Sequence, residues 1–374
     1  MEEKKVEYIE LIYDLIFVYI IGRNNSLLHV MKNGFIDPGS FLTYVLTALI
    51  ILQIWFYTTL FINRYGENDK LMHAGIFVNM YLLYFMARGI RHDWQGEFYT
   101  FNGAWLLILL NLAFHYYLQY KKTSTAKPWE TAPIKSNIIT ILIQCAILII
   151  SFPVFFLTGF PISPLAMVFG ICVAIADKSS NQLIPLDFRH LTERVMLYVV
   201  FTFGEMIIAI TDYFEGEINL NTIYYSLSAF LIVSGLFMSY GLLYDRLLDR
   251  DEGSNGSWYM LIHVALILSL NHVTAALEFM REEEVSTFPK NIFLISSFIL
   301  YYLCLFVLMR FNKEEFIPHR HMSLLLLISM MAFVTVMLLL YRNPEISIAV
   351  TVIFIWTLLM RFRKLYIIGK TAFK

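Results

Sequence analysis

Charge is what this chain has least of. Asp, Glu, Lys and Arg make up 15% of its 374 residues, against about a quarter in soluble globular domains. Hydrophobic residues reach 58%, so a water-soluble fold has too little polar surface to cover it. Neither sign of charge dominates, with 28 Lys+Arg against 29 Asp+Glu, and no basic excess points to a nucleic-acid partner. Cysteine is equally sparse. Cys145, Cys172 and Cys304 each stand inside an apolar stretch, read as small core hydrophobes, with no paired spacing for a disulfide framework or a zinc site. The opening residues MEEKKVEYIELIYD put acid where a signal peptide needs a basic and then apolar run, so no cleaved leader is expected. Neither a P-loop nor a Gly-rich dinucleotide turn occurs, which excludes ATP chemistry by the chain itself. His263 and His272 are nine residues apart on different helix faces, unsuited to a bis-histidine haem. No cofactor and no metal are expected.

What the chain does have is long apolar runs. A helix crossing hydrocarbon needs about 20 such residues, and only closed backbone hydrogen bonding is tolerated there. Spans fall near residues 7–30, 40–63, 70–91, 99–120, 136–157, 161–176, 190–212, 220–244, 257–280, 290–310, 321–341 and 345–362. The expected fold is therefore an all-α integral membrane protein with about 12 transmembrane helices. The sixth span is short and follows Pro161 and Pro164, so it is expected to tilt or re-enter. Lys and Arg favour cytoplasmic loops. Of the 28, twenty fall on the inner side if the N-terminus is inside and six on the outer side, which places both ends in the cytoplasm and the protein in the cell membrane. His319-Arg320-His321 then reads as part of a solvated cytoplasmic loop.

The chain also matches itself. A shift of 182 residues sets Gly22 on Gly204 and Asn63-Arg64 on Asp245-Arg246, while the LMHAGI around His73 meets LIHVAL around His263 at 190. The series keeps its order, as a duplicated helical unit would. The expected organisation is an N-terminal six-helix half over 1–177, a cytoplasmic connector over 178–190 and a C-terminal six-helix half over 191–374.

Ionisable groups inside membrane spans are costly and mark functional candidates. Helix 1 carries Glu7, Glu10 and Asp14 on one face, with Arg23 deeper. Helix 7 carries His190, Arg194, Phe201, Glu205 and Asp212 on one stripe, because an eleven-residue step returns to the same side of an α-helix. Helix 9 aligns His263, Asn271, Thr274 and Glu278, with Ser269 and His272 beside them, and helix 4 aligns Asn111, His115 and Gln119. At the 182 shift Arg23 falls on Glu205, and the counterpart of Arg194 is Ile12, between Glu10 and Asp14. If helices 1 and 7 meet, Glu10 or Asp14 is expected to face Arg194, and Arg23 to face Glu205. The plainer alternative is that such pairs only fix helix register.

Two segments carry a resemblance. YIELIYDLIFVYIIGRNNSLLH and HLTERVMLYVVFTFGEMIIAI resemble the bacterial low temperature requirement protein A (LtrA) family, which opens on an E-L-[FI]-[FY]-D-L-[IV]-F-V run and carries a later H-x-x-E-R-x-x-L…G-E motif. The matching residues are Glu10, Asp14 and Arg23, then His190, Glu193, Arg194, Gly204 and Glu205. Phe203 and Met206 depart from the Leu and Ser more usual beside the G-E pair. The resemblance implies a multi-span bacterial membrane protein and no particular reaction.

The intramembrane charges point to a secondary transporter or an ion/proton pathway, with Glu10, Asp14, Arg23, His190, Glu193, Arg194, Glu205, His263, Asn271 and His272 as binding or transport residues. Glu205 is the expected proton- or cation-binding carboxylate. The partners are the lipid bilayer and a small ion, proton or small-molecule substrate, with a homo-oligomer left open. Two alternatives stand beside it: an intramembrane enzyme using His190 and Glu193 on a lipid, and a non-catalytic membrane accessory or stress factor.

Overall fold

The computed structural model describes residues 5–90, 94–123, 128–176, 186–215, 217–250, 256–282, 284–318 and 320–372. Among them are twelve helices: α1 (Tyr8–Asn25), α2 (Pro38–Tyr65), α3 (Lys70–Arg88), α4 (Trp94–Lys122), α5 (Pro128–Thr158), α6 (Pro164–Ala176), α7 (Phe188–Ala209), α8 (Leu220–Leu242), α9 (Gly256–Arg281), α10 (Thr287–Leu308), α11 (Arg320–Leu339) and α12 (Pro344–Ala372). Nine of these described helices, α2, α4, α5 and α7 to α12, are long and apolar enough to cross a membrane. The other three differ for separate reasons. α1 spends Glu10, Asp14 and Arg23 within 18 residues. α3 carries Lys70, His73, Asn79 and Arg88. α6 has 13 residues, about 20 Å of rise, short of the roughly 30 Å of hydrocarbon. Most of the connector, residues 178–185, lies outside the described residues, as does His319. Arg320 and His321, expected in a loop, open α11. α12 outruns the expected span end at residue 362, because Arg361, Arg363, Lys364 and Lys370 are good helix formers that end an apolar run without ending a helix.

Local chemistry sets several of the boundaries. Asp37 precedes Pro38, and its carboxylate accepts from Ser40 N at 2.9 Å, capping α2. Asp69 caps α3 through Met72 N at 2.7 Å, and Asn219 caps α8 through Thr222 N at 2.8 Å. Asp187 does the same for α7, accepting from His190 N at 3.1 Å.

Contacts divide the chain into two compact units. Unit 1 holds Met1–Val30, Ile36–Tyr198 and Gly253–Met260; unit 2 holds Met31–Phe35, Val199–Glu252 and Leu261–Lys374. In unit 1, α3 packs on α4, α4 on α5, and α1 on α2 and α3. α2 is the most enclosed, with 72% of its membrane-length window buried. α6 reaches it by a close approach at Gly170, where a Cβ would run into the Tyr57 hydroxyl and the Gln53 amide. In unit 2, α12 packs along α8 and against α11, and α10 packs on α11. There α11 buries only 17% of its window while exposing Leu324, Leu327, Ile328 and Met331. An apolar helix with its side chains turned outward is intolerable in water and suited to lipid. Cys145 and Cys304 are buried as expected of small core residues; Cys172, on α6, is exposed.

Candidate functional site

In unit 1 the charges of α1 and α7 form one buried cluster. Glu10 falls in the first turn of α1, with Asp14 a helical turn further on and above it. Arg194 and His190 are related in the same way on α7, so each helix presents two groups on one face. The Arg194 guanidinium forks onto Asp14, with Nη2 donating to Oδ1 at 2.9 Å and Nε to Oδ2 at 3.1 Å, and its Nη1 donates to Glu10 Oε2 at 2.8 Å. None of the three side chains is more than 1% exposed. A buried ion pair of this kind holds together only when the geometry is good and the remaining lone pairs are occupied. Here they are. Trp55 Nε1 on α2 donates to Asp14 Oδ1 at 2.9 Å, and the Glu7 backbone N–H reaches Glu10 Oε1 at 3.4 Å. The Trp55 ring in turn lies 4.7 Å from that of Tyr198.

His190 completes the cluster, and its tautomer follows from its neighbours. Asn63, near the end of α2, grips the backbone of Asp187 from both sides: Oδ1 accepts from Asp187 N at 3.0 Å and Nδ2 donates to Asp187 O at 2.9 Å. That fixes which end of the amide is which. The same Nδ2 lies 3.0 Å from His190 Nδ1, which must therefore accept. The ring hydrogen is left on Nε2, 3.3 Å from Glu10 Oε1, where it donates to the carboxylate. Both ring nitrogens are thus committed to structural partners. Glu193, the other half of the expected His190–Glu193 motif, is exposed, so the structure does not bring the two side chains together. Arg23 is exposed in the last turn of α1.

A neutral polar chain runs beside the cluster. Tyr13 hydrogen bonds with Thr58 at 3.3 Å and accepts from Asn79 at 3.4 Å; Asn111 on α4 donates to Asn79 Oδ1 at 2.8 Å and to Gly75 O at 2.9 Å. His115 packs so closely on Gly75 that any Cβ there would overlap its ring. Trp55 and Asn63 were not among the expected site residues. An indole inside an apolar run gives no sign of a donor role, and Asn63 stood out only as a marker of the repeat.

The remaining expected residues lie in unit 2. Glu205 is half-buried on α7, and Glu278, half-buried on α9, is within electrostatic reach of it. Phe201 is half-buried and Asp212 exposed. Along α9, His263 is fully buried with its Nε2 3.2 Å from the Tyr240 hydroxyl. Asn271 is buried and donates back to Ile267 O at 2.8 Å, and the half-buried His272 ring stands edge-on to Phe293 at 5.5 Å. The stripe anticipated on α9 is therefore split between inward hydrogen bonds and one carboxylate near Glu205.

The family model for the Bacterial low temperature requirement A protein (LtrA) matches residues 5–357. No curated protein matches the chain.

Proposed function

Since the chain belongs to the LtrA family and has a helical membrane-type fold, we propose that it is a secondary transporter or ion/proton pathway of the cell membrane, working through Glu205. The observation that carries this reading is a half-buried carboxylate on each of two membrane-length helices, Glu205 on α7 and Glu278 on α9, within electrostatic reach of one another. Two acids within electrostatic reach in a low-dielectric setting repel when both are ionised, and a proton or cation bound by either relieves that repulsion. The Arg194 cluster, whose hydrogen-bonding groups already serve one another, is the fixed anchor of unit 1 in this reading. The other site residues contribute unequally: His263 and Asn271 brace α9, and His272 flanks the acidic face.

A duplicated architecture supports the reading. α2 begins at Pro38 and α8 at Leu220, a difference of 220 − 38 = 182, and the capping residues Asp37 and Asn219 keep that register, as do the residues whose N–H groups donate to them, Ser40 and Thr222. Six helices per copy give parallel halves and an even number of crossings, with α1, α3 and α6 completing twelve spans around the nine. The Lys and Arg distribution then sets both termini inside. Arg342→Cys and Lys313→Cys, made in a Cys172→Ser background, test that orientation: a membrane-impermeant maleimide should label the first in intact cells and the second only in inverted vesicles. The reverse pattern would overturn it.

Flux tests the function itself. Protein reconstituted in liposomes containing a pH dye should carry protons or a co-transported cation, and Glu205→Gln should lower the rate by about tenfold or more. Equal flux in wild type and variant removes Glu205 from the pathway. No flux from folded wild-type protein moves the weight to an accessory role.

A further inference from the structure

The outward face of α12 changes character at one place. Ile353, Thr357 and Met360 follow one another along it at steps of four and three, and Lys364, Ile367 and Thr371 continue the stripe, all of them exposed. From Ile346 to Met360 the helix carries no charge; the next four residues bring Arg361, Arg363 and Lys364. Pro344 to Met360 rises about 25 Å, close to the roughly 30 Å of a hydrocarbon core. The whole helix, about 43 Å, matches a bilayer of about 40–45 Å with its headgroups included. The basic turn therefore falls at headgroup level.

These three cations have no protein counterpart. Among the described residues the side chains of Arg361, Arg363 and Lys364 make no hydrogen bond and no ion pair, and the half-buried Arg361 has its Nε–H enclosed without an acceptor. Other cations of the chain are paired: Arg194 with Glu10 and Asp14, Lys122 with Glu67 at 2.9 Å, and Arg250 with Asp245 at 3.8 Å. Acids do stand close in sequence space to this end of unit 2, but on the wrong side. Glu314 and Glu315 belong to the turn Glu314–Phe316, which packs on the buried side of α12, with Phe316 and Leu365 in one apolar cluster and the Glu315 carbonyl against Gly369. That packing also makes the basic segment a fixed part of unit 2, unlike a loose polybasic tail.

We propose that this end of α12 binds an anionic phospholipid of the surrounding bilayer, with the headgroup phosphate between Arg361 and Lys364 and an acyl chain along Met360, Thr357 and Ile353. Arg361 and Lys364 are one helical turn apart on neighbouring sides of the helix, and Arg361 brings an N–H that lacks an acceptor, the donor that a phosphate oxygen takes up as a charge-assisted hydrogen bond. Basic residues at the membrane surface attract anionic headgroups, and their long side chains reach phosphate from the edge of the hydrocarbon. Ile367 and Ile368 are exposed just beyond the cations, which suits a helix end lying among headgroups and not one standing in water. A free anion would meet the charges alone; a lipid meets the charges and the apolar stripe below them. The proposal concerns bound lipid and stands whether or not the protein carries flux.

The test is native mass spectrometry of the full chain released from detergent micelles, titrated with phosphatidylglycerol, phosphatidylcholine or glycerol phosphate. Phosphatidylglycerol should bind about tenfold or more tighter than phosphatidylcholine, and Arg361→Gln combined with Lys364→Gln should remove that preference. Glycerol phosphate, the same anion without chains, should bind about tenfold or more weaker than phosphatidylglycerol. A control pair, Lys70→Gln with Arg246→Gln, removes the same charge from two other exposed positions and should leave the preference as it is. Should the Arg361 variant not fold, Arg363→Gln with Lys364→Gln, both at exposed positions, takes its place and should weaken phosphatidylglycerol binding by about fivefold or more. The proposal is overturned if the two lipids bind alike, if the folded variants keep the wild-type preference, or if the control pair loses it equally. It is also overturned if glycerol phosphate binds as tightly as phosphatidylglycerol, which would identify a free anion as the occupant.

Discussion

Replacing Arg194 by methionine is expected to destabilise the folded protein by about 3–5 kcal/mol, the cost of breaking a buried ion pair from one side. The guanidinium supplies three of the hydrogen bonds that Glu10 and Asp14 accept, and both carboxylates are at most 1% exposed. Without it, two acids are left a helical turn apart with Trp55, His190 and the Glu7 N–H as their donors. Lysine is not a substitute. A point charge with tetrahedral donors cannot fork onto Asp14 while reaching Glu10, so Arg194→Lys should cost about 1–3 kcal/mol. The decisive comparison is the triple variant Glu10→Gln, Asp14→Asn, Arg194→Met, which removes the stranded charges and should recover most of the loss. Denaturant unfolding in mixed micelles measures all three. An Arg194→Met protein as stable as wild type would show that the cluster bears no load, and a triple variant no better than the single would show that shape, not charge, is what Arg194 provides.

That cluster also marks how far the sequence could be read. Glu10, Asp14 and Arg194 were visible because an ionised side chain in an apolar helix has few acceptable surroundings, and the geometry of a helix leaves few candidates for its partner. The same logic reached Glu205 and Glu278. It failed for Trp55, since tryptophan is at home in any apolar stretch and only the position of its N–H makes it part of the site. It failed again for the division of labour along α7, where one continuous stripe was read as one surface. His190 and Arg194 belong to unit 1, and Phe201, Glu205 and Asp212 to unit 2, because the boundary at Tyr198 is set by tertiary packing and leaves no trace in a periodic pattern. Helices were legible in order, and among the described residues nine of the expected spans are long and apolar enough to cross a membrane; the short α6 was foreseen from its prolines. The length of α12 was not, because hydropathy reports where an apolar run stops, while the backbone continues as long as its residues favour a helix.

Asn63 supplies the second large effect, and it acts through the backbone. Asn63→Leu removes both bonds to Asp187 and leaves the His190 Nδ1 lone pair facing a methyl group. The Asp187 peptide is half-buried and can recruit some water, so the expected cost is about 2–4 kcal/mol, less than the sum of three lost bonds. Asn63→Asp keeps the size and keeps an acceptor for Asp187 N. It also turns the donor facing Asp187 O and His190 Nδ1 into an acceptor, and adds a third carboxylate beside a cluster that already holds two acids and one guanidinium. The nearly isosteric change should therefore be at least as damaging as leucine. Unfolding in micelles gives the ordering, and hydrogen exchange gives the location: amides 188–191, at the start of α7, should lose protection in both variants, because the Asp187 cap is held in place by Asn63. If Asn63→Asp is as stable as wild type, the amide is not oriented as its bonds to Asp187 require, and the assignment of the His190 hydrogen to Nε2 fails with it.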